Sequence, residues 1–159
     1  MENDVCCPEF DTTRYQNKEH VWKKKPFVKA YVRQIFHMPI DMGKVITETY
    51  AKITEAKAEV QIEDFLMLSY DPSPWKSELY FTVMKEVPGL ESATISGTFI
   101  SKVFDGPYNA IPQWIKEFDE YLAKKSQKAL KYYFHYAYCP KCAKKYGHNY
   151  VVAFAQISE

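Results

Sequence analysis

Phe104-Asp105-Gly106-Pro107-Tyr108-Asn109, running on through Ala110-Ile111-Pro112-Gln113-Trp114-Ile115-Lys116-Glu117-Phe118-Asp119-Glu120-Tyr121-Leu122 to Lys125, reads as a strand end, a proline turn and an amphipathic helix. Ile111, Trp114, Ile115, Phe118, Tyr121 and Leu122 keep the helical period and make one apolar stripe, the kind a helix lays on a sheet. The same phrase stands about 68 positions earlier. Phe36 matches Phe104, Pro39 matches Pro107, Asp41 matches Asn109, Tyr50 matches Phe118 and Lys57 matches Lys125; further on, Tyr70 matches Tyr138 and Pro72 matches Pro140. A unit repeated in this way, too small to close a core alone, is expected to stack on its twin.

Working outward, Phe27–Phe36 and Thr94–Phe104 read as the strands that lead into the two helices, over about 41–58 and 109–125, with Asp41 and Asn109 as caps. Phe65–Tyr70, Glu78–Val87, Lys131–Tyr138 and Tyr150–Ile157 read as further strands. Residues 1–24, punctuated by Pro8, Asp11, Thr12, Thr13 and Asn17, read as an N-terminal arm packed on a single domain of residues 25–159. Its modules cover about 25–89 and 92–157. The expected fold is α+β: tandem β-α-β-β modules forming a curved, mainly antiparallel sheet, with two helices on one face and a cleft between the modules.

Composition narrows the function. A net charge of +1 over 159 residues gives no electrostatic case for nucleic acid. No apolar run approaches the ~20 residues that span a bilayer, and no secretory signal opens the chain. The reading is a cytoplasmic protein, monomer or homodimer, with neither membrane nor nucleic acid as partner. Aromatic residues make up 16% of the chain, 13 of them tyrosine, which suits a partly wet pocket and equally an ordinary strand surface. Dinucleotide, phosphate-loop, zinc-protease and nucleophile-elbow signatures are missing from the sequence.

Two groups carry possible chemistry. Cys139-Pro140-Lys141-Cys142 has half-site spacing for zinc, and Cys6 and Cys7 in the arm could complete a tetrahedral set. His20 and His148 are substitute ligands. Structural zinc, structural thiols and a redox role all stay open, although a C-x-x-C between two strands argues against thioredoxin-like chemistry. The second group is aromatic and acidic. Tyr132, Phe134, Tyr136 and Tyr138 share one face of their strand, and Tyr133 and His135 share the other. Glu78 opens its strand next to Leu79 and Tyr80, and could hold a cation or activate water.

Gly97-Thr98-Phe99-Ile100-Ser101-Lys102-Val103-Phe104-Asp105-Gly106-Pro107-Tyr108, with the Trp114 helix, is similar to the GyrI-like small-molecule-binding domain over roughly residues 25–157. Cys6-Cys7-Pro8-Glu9-Phe10 together with Cys139-Pro140-Lys141-Cys142-Ala143-Lys144-Lys145-Tyr146-Gly147 resembles a group of small stand-alone bacterial proteins often labelled hydrolase. The resemblance implies an open cleft taking amphipathic or cationic aromatic compounds, in proteins ranging from drug-responsive regulators to enzymes that open strained rings. Multidrug-binding members place a glutamate on the strand after the second helix. Lys131–Tyr138 carries none, with Tyr133 or His135 near that place, and Glu78 resembles the first-module acidic position.

The expected function is therefore to bind a small hydrophobic or aromatic molecule between walls of Tyr31, Phe36, Tyr80, Trp114, Tyr133 and Tyr136, with Glu78 and His135 as polar groups. The alternative is a hydrolase on the same cleft, with Glu78 as general base and a tyrosine, Tyr133, as proton donor. A third is a metal or redox interaction module built on Cys6, Cys7, Cys139 and Cys142.

Overall fold

The computed structural model describes residues 9–36, 38–138 and 140–159. Seven strands and three short helices follow in the order β1 (Lys18–Ile35), β2 (Met38–Pro39), α1 (Met42–Glu55), β3 (Met67–Ser73), β4 (Lys76–Thr82), β5 (Glu91–Asp105), α2 (Ile111–Ala123), β6 (Lys131–Tyr136), α3 (Pro140–Tyr146) and β7 (Tyr150–Ser158). Two compact units divide the chain. One is Trp22–Ser96; the other joins Gly97–Glu159 to the N-terminal residues up to Val21.

Within Trp22–Ser96, β4 lies antiparallel between β1 and β3, pairing Tyr31 with Glu78 on one side and Tyr70 with Glu78 on the other. Alternation then sorts the side chains. Val28, Val32, Leu79, Phe81 and Met67 point one way and bury against Ile53, Val45, Ile46 and Tyr50 of α1. Each such side chain contributes roughly 1.5–3 kcal/mol on leaving water. Phe27, Lys29, Tyr31, Glu78 and Tyr80 take the opposite face. Asp41 does not cap α1 with its side chain. Its carboxylate instead accepts the Arg33 backbone N–H at 2.9 Å and the Arg33 Nε–H at 3.1 Å, tying the turn back to β1.

In the other unit, β7 runs antiparallel between β5 and β6. Ile100, Ala153 and Ala155 bury against Phe118 and Leu122 of α2, with Phe104, Tyr132 and Phe134 alongside. The helix starts at Ile111 after a 3-10 turn at Tyr108–Ala110, so Asn109 is not its cap. The N-terminal residues are held by named contacts. Ser101 donates its Oγ–H to the Tyr15 carbonyl at 2.6 Å, and the Val103 N–H donates to Gln16 at 2.9 Å. Phe10 stacks on Tyr15 and gives its N–H to the Tyr138 hydroxyl at 2.8 Å.

The expected tandem of β-α-β-β modules on an open curved sheet is corrected. β1 and β5 stand near opposite ends of the strand order and pair with each other, which two separate modules do not allow. The physical cause is strand length. β1 has 18 residues and β5 has 15, and each begins in one unit and ends in the other. Such strands cannot belong to separate modules. The part of β1 from Lys18 to Lys24 lies in the segment expected to be an N-terminal arm. A positive φ of 51° at Lys24 breaks its two-residue alternation and hides it from a periodicity reading.

A third helix, α3, occupies the cysteine loop expected as a bare turn. Its signals are a proline at the first position, Lys144 and Lys145 in the last turn, and Gly147 at φ 75° beyond the end, whose N–H reaches Ala143 O at 2.9 Å. None of the helices among the described residues is long and apolar enough to cross a membrane.

Gly97 marks a close approach in β5. It sits at φ 140°, where a Cβ would stand 2.6 Å from the Ser158 carbonyl oxygen and 2.8 Å from Gln156 Nε2. The register slips beside it, between Thr98 and Phe99. Gly97→Ala is expected to destabilise the fold by roughly 1–3 kcal/mol, from the strained backbone and the contact with β7. Chemical denaturation measures this; an unchanged midpoint would contradict the close approach.

Candidate active site

On the sheet face of Trp22–Ser96 turned away from α1, period-2 placement brings five polar and aromatic side chains together. Glu78 and Tyr80 are two residues apart on β4, and the Tyr80 hydroxyl donates to Glu78 Oε1 at 2.6 Å. Lys29, opposite Tyr80 in the register, sets its Nζ 3.6 Å from the same oxygen. The side chains of Lys29 and Glu78 are 19% and 17% exposed. Lys29 Nζ also lies 5.1 Å from the Tyr31 ring centre and 5.6 Å from that of Tyr80. Tyr31 donates a long 3.4 Å hydrogen bond to Glu91, and Phe27 meets the Tyr80 ring edge-on.

Electrostatics fix the charge states that matter. Burial favours a neutral Lys29, but the Tyr31 side chain and the charges of Glu78 and Glu91 outweigh it and hold the ammonium above its ordinary value. Lys29 is therefore a standing cation, not the neutral amine that a Schiff base needs. Glu78 accepts a short hydrogen bond from Tyr80 and faces the Lys29 ammonium, so one of its carboxylate oxygens is held in place by two partners.

Of the residues expected from sequence, Tyr31, Glu78 and Tyr80 come together here. Phe36 lies at the end of β1, 73% exposed, its ring 4.9 Å from that of Trp75. In the other unit, Tyr133 and His135 are buried on the face of β6 away from α2, Tyr133 near Phe99 and His135 near Phe10. Trp114 stacks on Phe104 at 5.1 Å, and Tyr136 meets Tyr108 edge-on, both on the α2 side. Trp114 and Tyr136 thus lie on the opposite side of this sheet from Tyr133 and His135. Lys29, Lys76 and Glu91 were not singled out by sequence reasoning. The signal was present for two of them: Lys29 stands two residues before Tyr31 on β1, and Lys76 two before Glu78 on β4.

Cys6, Cys7, Cys139 and His37 lie outside the described residues. Cys142 is buried on α3, so the premise that its loop is a turn between two strands is corrected. Among the described residues, no group of three His, Cys, Asp or Glu is placed to hold a metal ion. His20 is not arranged as the base of a serine nucleophile. Its Nε2 lies 2.8 Å from Ser101 Oγ, but the Ser101 hydrogen is committed to the Tyr15 carbonyl, which leaves His20 as the donor.

His148 and Asp105 are hydrogen-bonded, Nδ1 to Oδ2 at 2.7 Å, while the Asn149 N–H donates to the other Asp105 oxygen at 2.8 Å. Burial would raise the Asp105 carboxyl, but the His148 and Asn149 hydrogen bonds prevail and hold it below the ordinary carboxylate value of 3.8. The folded-state value is the lower one, so the stabilisation is complete above the ordinary value. It disappears as pH falls through the folded-state value. Thermal midpoints of wild type and Asp105→Asn should differ at pH 6 and converge in strong acid; parallel curves throughout would remove this link.

A family model described as Bacterial hydrolase matches residues 1–157. No curated protein matches the chain. Among solved structures, an uncharacterized conserved protein from Listeria innocua is similar at 10% identity and a TM-score of 0.68, covering 91% of this chain and 93% of that one. A hydrolase from Listeria innocua is similar at 11% identity and a TM-score of 0.62, covering 90% and 92%. At these identities the likeness shows the fold alone. The matches agree with the hydrolase-labelled group that the two cysteine stretches resemble; they do not extend to GyrI-like membership.

Proposed function

Given that the chain belongs to the bacterial hydrolase family, we propose that it binds a small, partly apolar electrophile on the Glu78 face of residues 22–96 and hydrolyses it. The observation that carries this reading is the Tyr80–Glu78 hydrogen bond of 2.6 Å beside the Lys29 ammonium at 3.6 Å. Glu78 Oε1 is occupied by these two partners, so Oε2 is the oxygen that takes a proton from water. The water oxygen forms the new bond to the electrophilic carbon, and the bond to the leaving group breaks. Lys29, held protonated, balances the negative charge that develops on the leaving group, which then takes its proton from solvent. Tyr80 orients the base; the role of proton donor to the leaving group, expected of Tyr133 from sequence, falls to solvent in this proposal.

The test is a panel of esters, lactones and strained-ring electrophiles incubated with the protein in heavy-oxygen water. Products are followed by mass spectrometry, with Glu78→Gln run in parallel. Label in the product for wild type and its loss in the variant support the reading; equal labelling in both ends it. Binding without turnover is the second reading. It is favoured by the sharing of one carboxylate oxygen between two donors of the chain itself, which leaves a single oxygen of Glu78 for a ligand. A bound but unchanged compound would select it.

A further inference from the structure

The geometry points to an anionic aromatic compound as the ligand of this face, anchored by Lys76 and seated against the Phe36–Trp75 pair. This rests on the reading of the Glu78 face as the binding site and names the charge of what it takes. The resemblance from sequence implied the opposite sign. Beside Lys76 the groups that would receive a cation are the Glu78 carboxylate and the Tyr31 and Tyr80 ring faces, and these are already served by the chain's own lysines. Glu78 has Lys29 at 3.6 Å. The Tyr31 ring has Lys76 Nζ at 4.1 Å and Lys29 Nζ at 5.1 Å, and the Tyr80 ring has Lys29 at 5.6 Å. A ligand cation would have to displace a resident ammonium to gain what that ammonium holds.

The charge left without a counter-ion is on Lys76. Among the described residues it lies over the Tyr31 ring and pairs with no carboxylate, whereas its neighbour across the register, Arg33, forms an ion pair with Asp41 at 3.1 Å. Glu91, the other carboxylate of the face, accepts from the Tyr31 hydroxyl and acts electrostatically on Lys29. From Lys76 the strands run straight into an apolar lip. Ile35, Phe36, Ile40 and Trp75 are all more than half exposed, and Phe36 and Trp75 stand 4.9 Å apart. Phe36 holds its place at a positive φ of 49°, a backbone state that glycine or asparagine would take with less strain. Trp75 is three residues from Glu78, about 10 Å of extended chain. An aromatic ring on the lip and an acidic group on Lys76 would therefore place an adjoining electrophilic carbon toward Glu78.

Three matched probes read the charge directly: 2-naphthoate, neutral 2-naphthamide and 2-naphthylmethylammonium, titrated by calorimetry into the full-length protein at low and high salt. Naphthoate should bind about tenfold more tightly than the ammonium probe, since attraction is exchanged for repulsion at a partly exposed site. Lys76→Gln should weaken naphthoate about fivefold and flatten its salt dependence while leaving naphthamide unchanged. Trp75→Ala should weaken all three by a similar factor. The inference is overturned if the ammonium probe binds as tightly as naphthoate, if no probe binds, or if Lys76→Gln shifts all three alike. Glu78→Gln separates the two claims: it should bind naphthoate at least as tightly as wild type. If it also retains turnover, the hydrolytic reading fails while the charge preference stands.

Discussion

Glu78→Gln should lower turnover about a hundred- to ten-thousandfold, the span of a positioned general base, while the protein stays folded. The substitution keeps nearly the same shape and leaves an oxygen to accept from the Tyr80 hydroxyl, so the 2.6 Å contact survives. What disappears is the capacity to take a proton and the charge facing Lys29. That ion pair is partly exposed, so its loss costs about 1 kcal/mol or less, or roughly 2–4 °C in midpoint for a chain of this size. Steady-state kinetics on whichever panel compound turns over, beside thermal melts, separates chemistry from folding. Tyr80→Phe should show a smaller loss, because the carboxylate remains but is no longer held in one orientation. A Glu78→Gln enzyme with undiminished turnover would mean that Glu78 only binds, and that the base lies elsewhere.

Local structure was legible wherever one periodicity held for several residues. The Ile111–Leu122 stripe gave α2 nearly to its ends, and the residues from Phe27 to Phe36 gave the second half of β1 as a strand. The pairing of β1 with β5 was not legible, because pairing leaves no mark in the periodicity of either strand. The repeat itself pointed the wrong way. Matched turns and helices in the two halves suggested two successive modules stacked on each other, while β1 and β5 each pass from one compact unit into the other. For the site, Glu78, Tyr80 and Tyr31 were visible as residues of the right type. Their gathering rests on the Tyr31–Glu78 register, which cross-strand contacts decide. The lysines escaped notice because a strand lysine ordinarily points to water, and only the register shows Lys29 folded against a carboxylate and two rings.

Phe118→Ala should cost the fold roughly 3–5 kcal/mol, the largest stability effect expected of a single substitution here. Phe118 is fully buried on α2. Its ring lies within packing distance of Phe104 at 6.5 Å, Tyr121 at 6.1 Å and Tyr132 at 5.5 Å, and it shares a core with Ile100, Leu122, Ala153 and Ala155. Two of the neighbours on the sheet, Ala153 and Ala155, have no longer rotamer with which to fill the space, so much of the cavity would remain. Tyr132 is also pinned, since its hydroxyl donates to Asp119 one residue along the same helix. Burial first, then this carboxylate, hold the Tyr132 phenol far above its ordinary value, so it stays neutral and in place. Against a total stability of about 5–15 kcal/mol, the loss should lower the midpoint by roughly 10 °C or more. Phe118→Leu, which keeps most of the volume, should recover more than half of it. If alanine and leucine cost the same, the penalty would come from the loss of ring contacts rather than from the cavity, and the packing of α2 on β5 and β7 would have to be reargued on aromatic geometry.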